Sequence, residues 1–290
     1  MRFIVHADDF GYDKAINKAI INLCDTGVIS SVSVMANMPF TAECVDLLRF
    51  KKISIGLHST FTQGKPVSDP ILVPSLIDNQ GFFLPYDQLR LKSKKNQLNV
   101  NEISIELNNQ FNKIRSLLGG KLSLLDCHQG LHTRIVEFKK AFLLFGKENK
   151  VAALRSSPHY YIKKNKKTSF DILQKPSIFN LHYFGFRRVI MNYVREVNSS
   201  RYKKYYKVPD GLIVYENLTD TTLLTKLTQL NLKSQNNKTL YVEVHPAINL
   251  NTLQGTEILE KRVHEYEVLS SISFKEFLKN SVSLISFNDL

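Results

Sequence analysis

The chain has 290 residues, 43% of them hydrophobic, and a formal net charge of +13, enough apolar material for one barrel-type domain or two small ones. No apolar run reaches the roughly 18 residues of a membrane span, and the strand-like first residues lack the pattern of a secretory signal. The cysteines Cys24, Cys44 and Cys127 show no CxxC spacing, which fits reduced thiols in a cytoplasmic protein.

In chain order, Arg2–Val5 is a short apolar run with the β-branched content of a buried strand, and it leads into His6-Ala7-Asp8-Asp9-Phe10-Gly11. Asp13 can cap a helix whose Ile16, Ala19, Ile20 and Leu23 recur at helical spacing, with Gly27 placed to end it. Ser31–Ala36 alternates like a strand, Thr41–Phe50 reads as a short helix, and Ile53–Leu57 is a strand ending at His58. Residues 59–100, rich in Gly and Pro, read as a long functional loop or lid with aromatic faces at Phe61, Phe82, Phe83 and Tyr86. Ile103, Leu107, Phe111, Ile114 and Leu118 mark a helix closed by Gly119 and Gly120. Leu122–Leu125 is a strand ending at Asp126-Cys127-His128. A helix over Val136–Lys147 and a strand over Val151–Leu154 follow. The basic stretch from Arg155 to Lys207, with runs at Lys163–Lys167 and Arg201–Lys207, is expected to hold helices around Pro176–Arg201. Strands are expected at Gly211–Tyr215 and Thr239–Val244, the latter ending at His245-Pro246. A helix lies near Thr221–Leu232, a charged segment runs to Tyr266, and a helix near Phe274–Leu278 precedes a strand over Val282–Ser286.

Strand and helix alternate throughout, so the fold class is α/β, a distorted (β/α) barrel with parallel strands. The expected organisation is one domain over 1–290, with a loop or lid insertion near 59–100 and a basic helical insertion near 156–210. Parallel barrel strands bring their C-terminal ends to one rim. Asp8-Asp9, His58, His128 and His245 all stand at strand ends and therefore converge there. Two imidazoles and a carboxylate make a metal site with open positions, most simply Asp9, His58 and His128, with Asp8 left beside it as a general base. Strict alternation would point Asp8 and Asp9 to opposite faces, so the chain must turn, and Gly11 offers the place. His132 lies four residues after His128, but Gln129-Gly130 argues against a shared helix. It is read as a substrate-site or supporting residue.

These segments resemble a known family. His6–Gly11, Gly56-Leu57-His58 with Thr62–Pro66, Asp126-Cys127-His128 with His132, Glu243–Ala247, and Tyr266–Leu269 are similar to the YdjC-like carbohydrate deacetylases. The resemblance runs from the first strand to the last helix. It implies a distorted (β/α) barrel, a divalent metal (magnesium or zinc) on Asp9, His58 and His128, and hydrolysis of an acetyl group from an N-acetylated sugar or oligosaccharide. It casts Asp8 as base and His245 as acid. His6, Cys127 and Gln129-Gly130 depart from the family's usual Asn, Ser and His-rich run.

The expected chemistry is amide hydrolysis by metal-activated water. Asp8 takes the water's proton and His245 protonates the departing amine. His132, Thr62, Phe61 and Arg155 are the candidate substrate contacts. The rival readings are a two-histidine, one-carboxylate iron oxygenase and a catalytically silent module that binds carbohydrate or polyanion through the basic region. Expected partners are the acetylated sugar and, as an option, a second copy of the chain. Neither a membrane nor nucleic acid is expected as a partner.

Overall fold

The central strand is β1 (Arg2–Phe10), buried along nearly its whole length. The protein is described by a computed structural model that covers residues 1–120, 122–149, 151–164, 171–214, 222–230, 237–251, 253 and 259–290. Its strands β2 (Ser31–Val34), β3 (Ser54–Ser59), β4 (Leu124–Cys127) and β5 (Ala153–Leu154) follow one another outward from β1 on one side. On the other side lie β9 (Thr239–Val244), β8 (Gly211–Ile213), β6 (His159–Lys164) and β7 (Asp171–Gln174). The short β10 (Ser283–Leu284) pairs with the start of β1. Among the described residues every strand pairing is parallel except β6 with β7. The sheet curls until its β5 edge meets the segment entering β8. There the Leu154 N–H donates to the Lys207 carbonyl at 3.0 Å, and the Lys207 N–H donates to that of Ala152 at 2.9 Å. The result is a distorted, partly open (β/α) barrel.

The helices are α1 (Lys14–Asp25), α2 (Thr41–Val45), α3 (Tyr86–Lys94), α4 (Val100–Leu118), α5 (Leu131–Arg134), α6 (Val136–Glu148), α7 (Leu181–Tyr202), α8 (Leu223–Thr228), α9 (Leu259–Ser270) and α10 (Ile272–Ser281). Local chemistry sets their ends. The Asp13 carboxylate accepts the Ala15 N–H at 2.7 Å and caps α1, while Gly27 just beyond it takes a φ of 71°. Ile16, Ala19, Ile20 and Leu23 are buried against the sheet, each large one contributing about 1.5–3 kcal/mol. Gly119 caps α4 in the left-handed region.

Two helices depart from the sequence reading. Within the 59–100 excursion lies α3, which buries only Leu89, so its apolar period is too weak to read. The charged segment before Tyr266 is the helix α9, whose buried residues include Lys261, Arg262 and Glu265. Charges point inward there, inverting the usual pattern. The β6–β7 hairpin was likewise hidden in a Lys-rich stretch. Asn165–Lys167 of the basic run, Tyr215, Thr221 and Asn231–Leu232 lie outside the described residues. Cys24 and Cys127 are free thiols.

The inward-facing columns of the strands position the site. Ile4, Leu124, Tyr241 and Leu212 form an apolar floor plugged by Phe287. Two residues further along their strands stand His6, Asp126 and Glu243, and two further still Asp8, His128 and His245. Side chains two apart on a strand share a face, so each column passes from an apolar floor to an ionisable rim.

Candidate metal centre

At the rim, the pairing of β1 with β2 slips between Ala7 and Phe10, and Asp9 adopts a φ of 65°. A bulge re-aims the extra side chain, and this is how two neighbouring carboxylates enter one pocket. The sequence places the turn at Gly11; it begins two residues earlier, at Asp9. Gly11 is needed as well: at its φ of 102°, an added Cβ would stand 2.7 Å from Thr41 Oγ1.

Asp9 Oδ1 lies 3.3 Å from His58 Nε2 and 3.4 Å from His128 Nδ1, and those two nitrogens are 3.3 Å apart. The three atoms form a nearly equilateral triangle. Donors about 2.0–2.1 Å from one ion, at octahedral to tetrahedral angles, stand roughly 2.9–3.4 Å from each other. Asp9 Oδ1 is also buried with no hydrogen-bond partner, a costly state for a carboxylate oxygen unless a cation meets it. The residues therefore fit a divalent ion. Two other carboxylate-histidine clusters, His6 with Asp8 and Asp126, and Asp8 with Glu243 and His245, also have close ligand atoms. In both, the Arg155 guanidinium meets the carboxylates and none of their oxygens is buried without a partner, whereas the arginine that reaches Asp9, Arg262, takes only Oδ2 and leaves Oδ1 to the triangle.

Asp126 stands behind His58. The His58 Nδ1–H donates to Asp126 Oδ1 at 2.5 Å, which turns Nε2 toward the triangle. Despite burial, the Asp126 and Asp8 charges raise the imidazole well above its ordinary value, and a bound ion would take the place of the Nε2 proton. Burial alone would raise the Asp126 carboxyl, but the Arg155 and His58 charges outweigh it and hold it well below the ordinary range. His6 bridges the same network, with Nε2 3.0 Å from both Asp126 Oδ2 and Asp8 Oδ1 and Nδ1 2.8 Å from Ser31 Oγ.

Asp8 is clamped beside the triangle. Arg155 Nη1 donates to both of its oxygens at 2.7 Å, and Ser33 Oγ donates to Oδ1 at 3.2 Å. Burial pushes the Asp8 carboxyl up, but the charge of Arg155 and then of His58 overrides it, so Asp8 stays ionised. His245 Nε2 lies 3.6 Å from Asp8 Oδ2. From α9, Arg262 Nη2 donates to Asp9 Oδ2 at 2.6 Å and its Nη1 to the His245 carbonyl at 3.3 Å, while Glu265 Oε2 accepts the His245 N–H at 2.5 Å.

The structure thus brings Asp8, Asp9, His58, His128 and His245 together, and Arg155 with them. Arg155, read from sequence as a substrate contact, is buried and committed to carboxylates. His132 and Phe61 stand elsewhere. Gln129 and Gly130 both take left-handed backbone angles after His128, which separates the two histidines. His132 is buried, stacked on Phe142 with ring centroids 5.1 Å apart, and its Nε2–H donates to the Arg155 carbonyl at 2.9 Å. It supports the wall that carries Arg155. Phe61 has no exposed surface and packs edge-on to Phe138 at 4.9 Å, so it belongs to the core and has no face for a sugar ring. Thr62 keeps a buried hydroxyl without a partner. Sequence reasoning missed His6, Asp126, Glu243 and Arg262. For the first three, the signal was the strand period of two, which puts each on the face of a residue already chosen. For Arg262 there was none.

Fold and site together define a (β/α)-barrel protein with a candidate divalent-ion centre at the C-terminal ends of its strands. Comparison with known proteins makes this particular: residues 2–280 match the family described as YdjC-like protein, and the chain belongs to that family. A carbohydrate deacetylase of Clostridium beijerinckii is 37% identical over 134 residues, 46% of this chain and 51% of that protein. One from Thermoanaerobacter pseudethanolicus is 31% identical over 46% of this chain and 53% of that protein, so the chain spans about half the length of these curated relatives. The carbohydrate deacetylase of Brevibacillus brevis is 25% identical over the whole of both chains. A crystal structure from Enterococcus faecalis V583, named as a candidate cellobiose-phosphate cleavage protein, superposes with a TM-score of 0.74 at 20% identity. It covers 99% of this chain and 98% of its own, and it shows the fold.

Proposed function

We propose that this protein is a divalent-metal-dependent deacetylase that hydrolyses the acetamide of an N-acetylated sugar or oligosaccharide. The observation that carries the reading is the Asp9–His58–His128 triangle set against an arginine-held Asp8, with His245 beside it. Family membership and the names of the relatives support it. Bound by Asp9, His58 and His128, a magnesium or zinc ion supplies Lewis acidity that acidifies water and polarises a carbonyl. Asp8, kept ionised by Arg155, accepts the proton of the attacking water. Asp126 fixes the His58 ring. His245, held by its backbone to Arg262 and Glu265, delivers a proton to the departing amine, which leaves as the free amino sugar while the acyl group leaves as acetate.

The test is acetate release from a panel of N-acetylated oligosaccharides by metal-replete protein, with metal content measured in parallel. Asp8→Asn is expected to retain its metal while kcat falls about 10²–10⁴-fold. Absence of acetate across the panel sinks the reading, as does an Asp8→Asn protein that turns over like the parent.

A further inference from the structure

The helix α7 and the turn before it carry a dense set of exposed large apolar side chains. Phe179 is 92% exposed, Phe186 71% and Tyr193 66%, and Ile178, Ile190 and Val194 are also exposed. Beyond a kink at Gly185, where φ is 73°, Phe186, Ile190, Tyr193 and Val194 stand at i, i+4, i+7 and i+8, one stripe of a helix. The opposite face is the packed one. Asn192 is buried there and accepts the His159 N–H at 2.7 Å, and Arg188 lies over the Tyr161 ring. The stripe therefore turns away from the barrel.

Charge selects what it meets. From Lys175 to Lys207 the chain has eight Lys or Arg and a single acidic residue, Glu196, which pairs with Lys175. Arg187 is exposed beside the stripe and Arg201 is exposed about two turns beyond its end. A second copy would set two such basic segments against each other across a twofold axis, whereas anionic headgroups neutralise them. Bulky apolar side chains flanked by cations are the pattern of a helix that lies in a lipid interface. No helix among the described residues is long and apolar enough to cross a membrane, and the hydropathy that rules out a span does not bear on surface contact.

We propose that α7 docks the protein peripherally on an anionic membrane surface, with Phe179, Phe186, Ile190 and Tyr193 entering the headgroup layer and Arg187 and Arg201 meeting lipid phosphates. The experiment is co-sedimentation of the full chain with vesicles of phosphatidylcholine containing roughly one-third phosphatidylglycerol, against pure phosphatidylcholine. Wild type is expected to pellet with the anionic vesicles and to be released by high salt. Phe186→Ser combined with Tyr193→Ser is expected to lower the partition coefficient by at least about tenfold, with unchanged thermal midpoint because both side chains are exposed. Arg187→Gln with Arg201→Gln is expected to weaken binding to the anionic vesicles. Wild type left in the supernatant overturns the proposal, as does aromatic-variant binding equal to wild type. A dimer seen by light scattering and dissociated by the aromatic substitutions also overturns it, by assigning the stripe to a second copy.

Discussion

Asp126 contacts His58, His6 and Arg155 at once, and its effect on an ion would run through His58. Replacing it with Asn keeps the shape but offers His58 Nδ1–H only a neutral acceptor, or a donor if the amide turns. The His58 ring then loses its fixed tautomer and part of its basicity. Asp126→Asn is expected to weaken zinc binding about 10–100-fold, read by competition with a chromogenic chelator. Unchanged affinity would reduce Asp126 to a packing residue. His132 makes a separate prediction in pH. Burial, reinforced by the Arg155 charge and opposed by the bond to the Arg155 carbonyl, pushes its imidazole down from 6.5 to about 4. A depressed histidine is neutral in the fold and charges first in the unfolded chain. Its contribution is whole above 6.5 and drains away as pH falls toward 4. Between pH 7 and 4 the wild type should lose about 3 kcal/mol more stability than His132→Gln, measured by denaturant melts across that range. The carboxylates held low by Arg155 act further down: Asp8 and Asp126 stabilise above their unfolded value near 3.8 and lose that contribution only below it, so the two windows separate.

The excursion between β3 and α4 is tied down by side chains of α4 rather than by its own regular structure. Glu106, with no exposed surface, accepts the Val67 and Ser68 N–H groups at 2.9 and 2.8 Å and the Gln110 amide at 2.7 Å. Gln110 in turn bonds both backbone groups of Thr60, two residues past His58. Glu106→Ala leaves the Ser68 and Gln110 donors buried and unmatched and the partly buried Val67 N–H without its acceptor, at a cost of about 2–4 kcal/mol. Hydrogen exchange at Val67 and Ser68 should quicken while the β1 amides stay protected; equal exchange in both proteins would show the anchor to be dispensable. None of this was visible in the sequence, where Glu106 looks like one more charge on an amphipathic helix. The elements that could be read, α1, α4, β3 and β9, are those whose apolar period matches burial. Those that could not, α9 and the β6–β7 hairpin, break the match. In α9 the inward residues Lys261, Arg262 and Glu265 serve the rim rather than the core, and the hairpin carries its lysines on a strand.

At the scale of the whole molecule, the rim joins parts of the chain that are far apart in sequence. Asp9 comes from the first strand, His58 and His128 from β3 and the end of β4, and Arg262 from α9. That convergence was legible in the sequence because parallel topology brings strand ends to one rim whatever their separation. The exact contacts were not, since Arg155 and Arg262 reach inward from positions that no periodicity marks. The same convergence makes ion binding a property of the fold. In the unfolded chain the three ligands are more than a hundred residues apart from end to end, so a cation that binds the triangle binds the folded state alone. At a hundredfold excess over Kd it adds about 2.7 kcal/mol, which for a chain of this size raises the thermal midpoint by roughly 4–5 °C. Zinc added to chelator-stripped protein should produce that rise, EDTA should reverse it, and Asp9→Asn should abolish it by replacing a charged oxygen donor with an amide. Asp8→Asn should preserve the rise, because Asp8 stands beside the triangle rather than in it. A midpoint that ignores zinc in the wild-type protein would mean that the orphaned oxygen of Asp9 faces no cation, and a rise that survives Asp9→Asn would move the ion to another cluster of the rim.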